Sequence, residues 1–298
     1  MKRFLFFIAL FFAIVCVVDF GFGKAVDKLC STAKDGEKSK IYYIANRMDE
    51  DVVIMGSSRA YRHYVPYVLE DTLKKSVYNA GCSNMGIVCN YGLYKAFKKI
   101  HTPKMIIYEV YYTDFATGDI TTYLDNLRLL KNDKDIYEYI AKLSPDDKWK
   151  MKSSLYCYNT KWIYIIQENI KSSMTLEKGY APDKGKLSYK PDRTPNEYTI
   201  DSLKVRLFKE FVKEVSEDHT SLVITVSPLY YGDDFSWIAW AREIASEYNI
   251  PFYDYSKDDS FLENNNLFYD QIHLNEEGAI SYTKKIAHKL TETTNTIQ

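Results

Sequence analysis

Val52-Val53-Ile54-Met55-Gly56-Ser57-Ser58-Arg59 is an apolar run that stops on a glycine followed by two hydroxyls. A short run that is apolar on both faces reads as a buried parallel strand, and the glycine permits a tight turn out of it. A serine on that turn is presented at the carboxyl end of the strand, where open α/β sheets hold their ligands. Far along the chain, before the closing helix, Phe268-Tyr269-Asp270-Gln271-Ile272-His273-Leu274 supplies an Asp-x-x-His pair. A three-residue offset on a turn lets Asp270 accept a hydrogen bond from one imidazole nitrogen of His273 while the other faces Ser58. That fixes the tautomer and stabilises the imidazolium. Ser58, His273 and Asp270 are thus the three groups that hydroxyl-based nucleophilic catalysis requires.

Working outward, four more short apolar runs read as strands, at 76–79, 104–110, 221–227 and 251–255. Helical spacing is predicted over 85–100, 236–248 and 276–290, with Asn275 as N-cap of the last. Strands alternating with helices predict an α/β fold: a flavodoxin-like three-layer sandwich around a parallel sheet of about five strands. The alternation lapses over about 115–195, a polar, Tyr- and Lys-rich stretch with a helical patch at 161–170. This reads as a mixed insertion that helps shape a cleft. The α/β domain is expected to span 51–293, preceded by a stalk at 24–50.

The N-terminus reads differently. Lys2 and Arg3 precede an unbroken apolar run at 4–18, then Asp19 and Phe20-Gly21-Phe22-Gly23. A basic start and an apolar run without an A-x-A cleavage pattern predict an uncleaved signal anchor over 1–23. The basic end stays in the cytoplasm and the rest lies outside, in the periplasm. Secretion after signal cleavage is the alternative. The 298 residues carry a net charge of -1 and no nucleic-acid motif, so no nucleic-acid partner is expected. Five cysteines lack metal-ligand spacing, and no metal or cofactor is implied. The 27 tyrosines suit both strands and carbohydrate grooves.

Serine needs donors for the developing oxyanion as well as a base. Backbone N–H groups at Ser58 and across 81–86 are the candidates. His63 is a rival base, but no acid stands at a useful spacing from it. These segments resemble the SGNH hydrolase superfamily, the GDSL-like esterases. Gly56-Ser57-Ser58 is similar to its first block, with Ser for Asp. This makes Ser58 rather than Ser57 the counterpart of the nucleophile, and Asp270 and His273 match the last block. Asn79 to Gly86 resembles the second block, which implies Gly81 as an oxyanion donor and puts Asn84 where glycine is usual. In the third block Thr113 stands at the place of an asparagine donor. Gly-Ser-Ser-Arg behind an anchor is similar to the exported branch that moves acyl groups on surface polysaccharides. That likeness implies an esterase or O-acetyltransferase acting on an acylated glycan or small ester, with Arg59 positioning a substrate carboxylate or the turn itself; a salt-bridged structural arginine is the equal alternative. The alternatives are a non-catalytic binding or assembly protein that kept the fold, and a lipid or thioester hydrolase.

Overall fold

The structure is a computed structural model. It describes residues 1–33, 35–83, 85–171, 176–189, 198–230 and 236–297, the side chains of 293–297 excepted. Five strands form one sheet: β1 Val52–Gly56, β2 Val77–Asn79, β3 Met105–Glu109, β4 Ser221–Val226 and β5 Phe252–Asp254. All pairings are parallel in the order β2-β1-β3-β4-β5, and Gly56 stands opposite Glu109 at the carboxyl edge. The architecture is the expected α/β three-layer sandwich with a mixed insertion.

The helices, in chain order, begin with α1 Lys2–Thr32, α2 Glu37–Asn46, α3 Ser58–His63, α4 Pro66–Leu73 and α5 Ile87–Phe97. The insertion contributes α6 Ile120–Tyr123, α7 Lys134–Leu143, α8 Asp147–Lys150, α9 Ser154–Tyr158 and α10 Lys161–Ile170. After it come α11 Ser202–Glu217, α12 Ser236–Glu247, α13 Asp259–Leu262 and α14 Glu276–Ile297. Strand side chains alternate between two cores, as a period of two requires. Val53, Met55, Ile106, Tyr108 and Ile224 pack with α5, α11 and α12. Val52, Ile54, Ile107 and Val223 pack with α4 and α14 through Leu69, Tyr282 and Ile286.

The segment expected as a stalk, 24–50, holds the end of α1 and α2. α1 continues without a break from the apolar run to Thr32, and Val26, Cys30, Ile41, Ile44 and Met48 are buried in the larger core. The cause lies in α2, whose apolar residues 41, 44 and 45 recur at helical spacing and bury one face, with Met48 buried just beyond its end. The insertion is helical where it packs on α1, α2 and α5, with Leu127, Ile136, Ile140 and Ile165 buried. Its part at 172–175 and 190–195 lies outside the described residues. Its returning arm, 176–189, crosses the carboxyl edge of the sheet: Asn79 donates its N–H to Lys178 O at 2.9 Å, and Leu187 donates to Phe268 O at 2.8 Å.

Candidate active site

Ser58 is the first residue of α3, directly after β1. Gly56 makes the exit possible: its φ is +139°, and a Cβ there would lie 2.4 Å from Glu109 O. Ser58 Oγ is 2.9 Å from His273 Nε2, and His273 Nδ1 is 2.8 Å from Asp270 Oδ2. Asp270 Oδ1 also accepts the backbone N–H groups of Ile272 and His273, each at 2.8 Å. Burial alone would raise the Asp270 carboxyl. The His273 ring and the two backbone N–H groups outweigh it and hold the group below the usual carboxylate value. An ionised Asp270 accepts a proton-bearing Nδ1, which leaves Nε2 free to take the Ser58 hydroxyl proton. The structure therefore brings together the three residues expected from two distant segments.

The other expected site residues fall differently. Arg59 does not face a substrate. It is fully buried, with Nε 3.0 Å from Glu109 Oε1, Nη2 donating to Ser227 Oγ at 2.7 Å, and Nη1 donating to Ile272 O at 2.9 Å. An arginine one residue past the nucleophile is turned inward because the end of β3 supplies a buried carboxylate directly opposite Gly56. Gly81 does not offer its N–H to an oxyanion, because it donates to Asn79 Oδ1 at 3.0 Å. Its lack of a side chain serves packing instead: a Cβ would sit 2.5 Å from Tyr61 N. Its carbonyl accepts from the buried Lys40 ammonium, which also donates to Gly179 O at 2.8 Å. Burial lowers Lys40 to about 8, with Cys82 and Glu37 opposing the shift. Thr113 is buried, and its Oγ1 has no hydrogen-bond partner among the described residues. Asn84 lies outside the described residues. As the first residue of a helix, Ser58 has an N–H with no intrahelical acceptor.

Several residues at this edge carry no local signal in the sequence. Glu109 accepts from Arg59, from Tyr64 Oη, from Ser227 Oγ at 2.6 Å and from the Ser227 N–H at 3.0 and 3.1 Å. His63, on α3, is buried between two partners: Nδ1 is 2.7 Å from Ser227 Oγ, and Nε2 accepts the Leu274 N–H at 2.9 Å. That acceptor role puts the ring proton on Nδ1. Burial, helped by Arg59, His273 and Arg62, holds His63 well below its ordinary value and keeps it neutral. Asn79 donates to Ala60 O at 2.8 Å and Tyr64 O at 2.9 Å, which ties the end of β2 to α3. Asp183, from the returning arm, pairs with Arg62. Its burial raises the carboxyl against the pull of Arg62 and His273. A glutamate ending an apolar strand and a histidine four residues after Arg59 were the available hints, but neither names its partner.

No family model matches the chain, and no curated protein matches it in sequence. Solved structures resemble it in backbone. An acetyl xylan esterase is 10% identical with a TM-score of 0.42, over 81% of this chain and 98% of that one. A GDSL-like lipase from Bacteroides thetaiotaomicron is 11% identical with a TM-score of 0.39, over 86% of this chain and 100% of that one.

Proposed function

We propose that this chain is a serine-dependent acyl hydrolase or acyl transferase of the SGNH type, working outside the membrane that its N-terminal helix enters. The observation that carries this reading is the hydrogen-bonded series Ser58 Oγ, His273 Nε2, His273 Nδ1, Asp270 Oδ2, with links of 2.9 and 2.8 Å. In the proposed reaction Ser58 Oγ bonds to the ester carbonyl carbon as its proton passes to His273 Nε2. The acyl–oxygen bond then breaks, and the imidazolium returns that proton to the departing alcohol. Water, or a sugar hydroxyl, then bonds to the acyl carbon as it gives its proton to His273; the bond from that carbon to Ser58 Oγ breaks, and the imidazolium returns the proton to Oγ. The Ser58 N–H is the proposed oxyanion donor. For a glycan substrate, the proposed groove is the polar cavity of about 520 Å³ lined by Glu37, Lys38, Ser83, Met85, Asp125 and Arg128, whose lining does not include Ser58, Asp270 or His273.

The test is fluorophosphonate labelling of the full chain together with hydrolysis of p-nitrophenyl acetate. The proposal expects one adduct, on Ser58, and loss of both signals in Ser58→Ala. A chain that takes no label and cleaves no ester supports the second reading, a non-catalytic binding module. That reading draws on the Gly81 N–H being already donated to Asn79 and on Thr113 in the third block.

An uncleaved anchor is the proposed localisation. Asp19 accepts from Ser153 Oγ at 2.7 Å, Ser154 N at 2.8 Å and Leu155 N at 2.9 Å, and Phe22 packs on Tyr158. Cleavage after residue 23 would strip these contacts from α9. Recovery of the membrane-bound chain with its N-terminus intact is the expected outcome, and a mature chain starting beyond Gly23 is the contrary one.

A further inference from the structure

We propose that the insertion has a second role: its face around α1, built from the first turns of α9 and α10, seats in the headgroup layer of the membrane that α1 crosses. The argument begins with length. Residues 4–18 give about 22 Å of helix at about 1.5 Å per residue, well short of a hydrocarbon core about 30 Å thick. Filling that core draws the level of Phe20 and Phe22 down to the membrane boundary. Asp19 sits at that depth, where an unpartnered carboxylate would be costly. It has three donors there, all from the start of α9.

The same contacts fix which part of the insertion arrives with it. Leu155, one of those donors, is exposed. Trp162, in the first turn of α10, packs edge-on against Phe22 with ring centroids 6.4 Å apart. Seven residues later Asn169 donates to Leu29 O at 3.0 Å, and Leu29 lies seven residues beyond Phe22. Equal steps on both helices mean that α10 runs alongside α1 in the same direction, with its first turn nearest the membrane. That turn leaves Trp162 38% and Ile163 43% exposed, beside Leu155 at 47%. Three large apolar side chains thus ring the point where an all-apolar helix leaves the body. Lysines flank the ring, with Lys24 over the Phe20 ring and Lys152 over the Trp149 ring. Tryptophan and lysine with apolar neighbours is the mixture that partitions to a membrane interface. The rigid contact also sets the orientation of the sheet edge relative to the bilayer, so a substrate held at the membrane would meet Ser58 at a fixed height.

This inference rests on the uncleaved anchor, which the N-terminal analysis tests separately, and it stands whether or not Ser58 is a nucleophile. The experiment uses the full chain reconstituted in phosphatidylcholine vesicles whose acyl chains are brominated near the headgroup. Brominated chains quench indole emission only at close range. In a Trp149→Phe background, which removes the other exposed indole of the insertion, Trp162→Phe is expected to remove most of the quenchable emission, whereas Trp240→Phe, similarly exposed but on α12, leaves it in place. Leu155→Cys, in a Cys16→Ala background and labelled with a polarity-sensitive dye, is expected to emit to the blue of a label at Glu263→Cys. Quenching that is the same in Trp149→Phe with and without Trp162→Phe, with a Leu155 label as water-exposed as the Glu263 label, would overturn the proposal. A Leu155 label that shifts only as protein concentration rises, with no lipid quenching, would overturn it as well, in favour of a second copy of the chain.

Discussion

Replacing Arg59 by methionine keeps much of its volume and removes the guanidinium that pairs with Glu109. Both side chains are fully buried, and breaking a buried ion pair from one side costs about 3–5 kcal/mol, because the remaining charge has no counter-ion. For a domain of this size each kcal/mol shifts the melting temperature by about 2–4 °C, so the expected drop is roughly 6–20 °C. Glu109→Gln in the same chain removes the stranded charge, so the double variant should be more stable than the sum of the singles by about 0.5–3 kcal/mol. Arg59→Lys should recover only part of the loss, since an ammonium reaches Glu109 without forking to Ser227 and Ile272. The assay is thermal melting and urea unfolding of the detergent-solubilised full chain. Lys134→Ala serves as the control: it opens an exposed pair at 3.9 Å and is expected to cost less than about 1 kcal/mol. An Arg59→Met variant that melts with the wild type, or a double variant whose loss equals the sum, would refute the account of this network.

Asp270→Asn retains the shape of the turn but favours the wrong imidazole tautomer. Its ester turnover should fall by about 10⁴, with an unchanged melting temperature, as measured by steady-state kinetics. Gly56→Ala places a Cβ against Glu109 O at a φ of +139°, and should cost at least about 1–3 kcal/mol by urea unfolding. Burial raises the Asp114 carboxyl to about 7, against the Tyr111 N–H, the Tyr108 hydroxyl and Lys204. The folded chain therefore holds a proton that the unfolded chain has released between about pH 4 and about pH 7. Stability should decline as pH rises through that window, and Asp114→Asn should flatten the decline in urea titrations at stepped pH.

The strands were legible because burial on both faces leaves a short apolar run that needs no partner to be recognised, and all five fall where those runs lie. Asp270 and His273 were legible for a related reason, since their three-residue offset on a turn is a local spacing rule, whereas Ser58 was set apart from Ser57 by the resemblance of its block. Residues 24–50 read as a stalk because their apolar positions are diluted by lysine and aspartate, and their burial depends on a surface contributed by α5 and α10. For Arg59 a substrate contact and a buried ion pair were both open, and it bonds a glutamate 50 positions away; the Gly81 N–H is taken by the side chain of Asn79, which competes for it. Charge and proximity in sequence do not reveal which way a guanidinium points.

The placement of His273 is where the network and the candidate chemistry meet. Arg59 and His63 are four apart, hence on one face of α3, and they bond the two neighbours of the imidazole residue. Arg59 donates to the Ile272 carbonyl, and His63 accepts the Leu274 N–H. Ser58 starts the same short helix, so the helix that presents the hydroxyl also grips the base on both sides, and their separation is set within one rigid piece. His63→Phe removes the acceptor for Leu274 N–H and the donor to Ser227. Leaving a buried N–H unpaired costs about 1–3 kcal/mol, and if this appears wholly in the transition state the turnover falls about 5- to 150-fold. His63→Gln supplies one acceptor and one donor and should restore part of it. Because His63 is held neutral, it does not set the acid limb of the pH–rate profile, which should be unmoved in His63→Gln. A limb that disappears in His63→Gln would make His63 the proton acceptor, and the assignment of the base to His273 would fail with it.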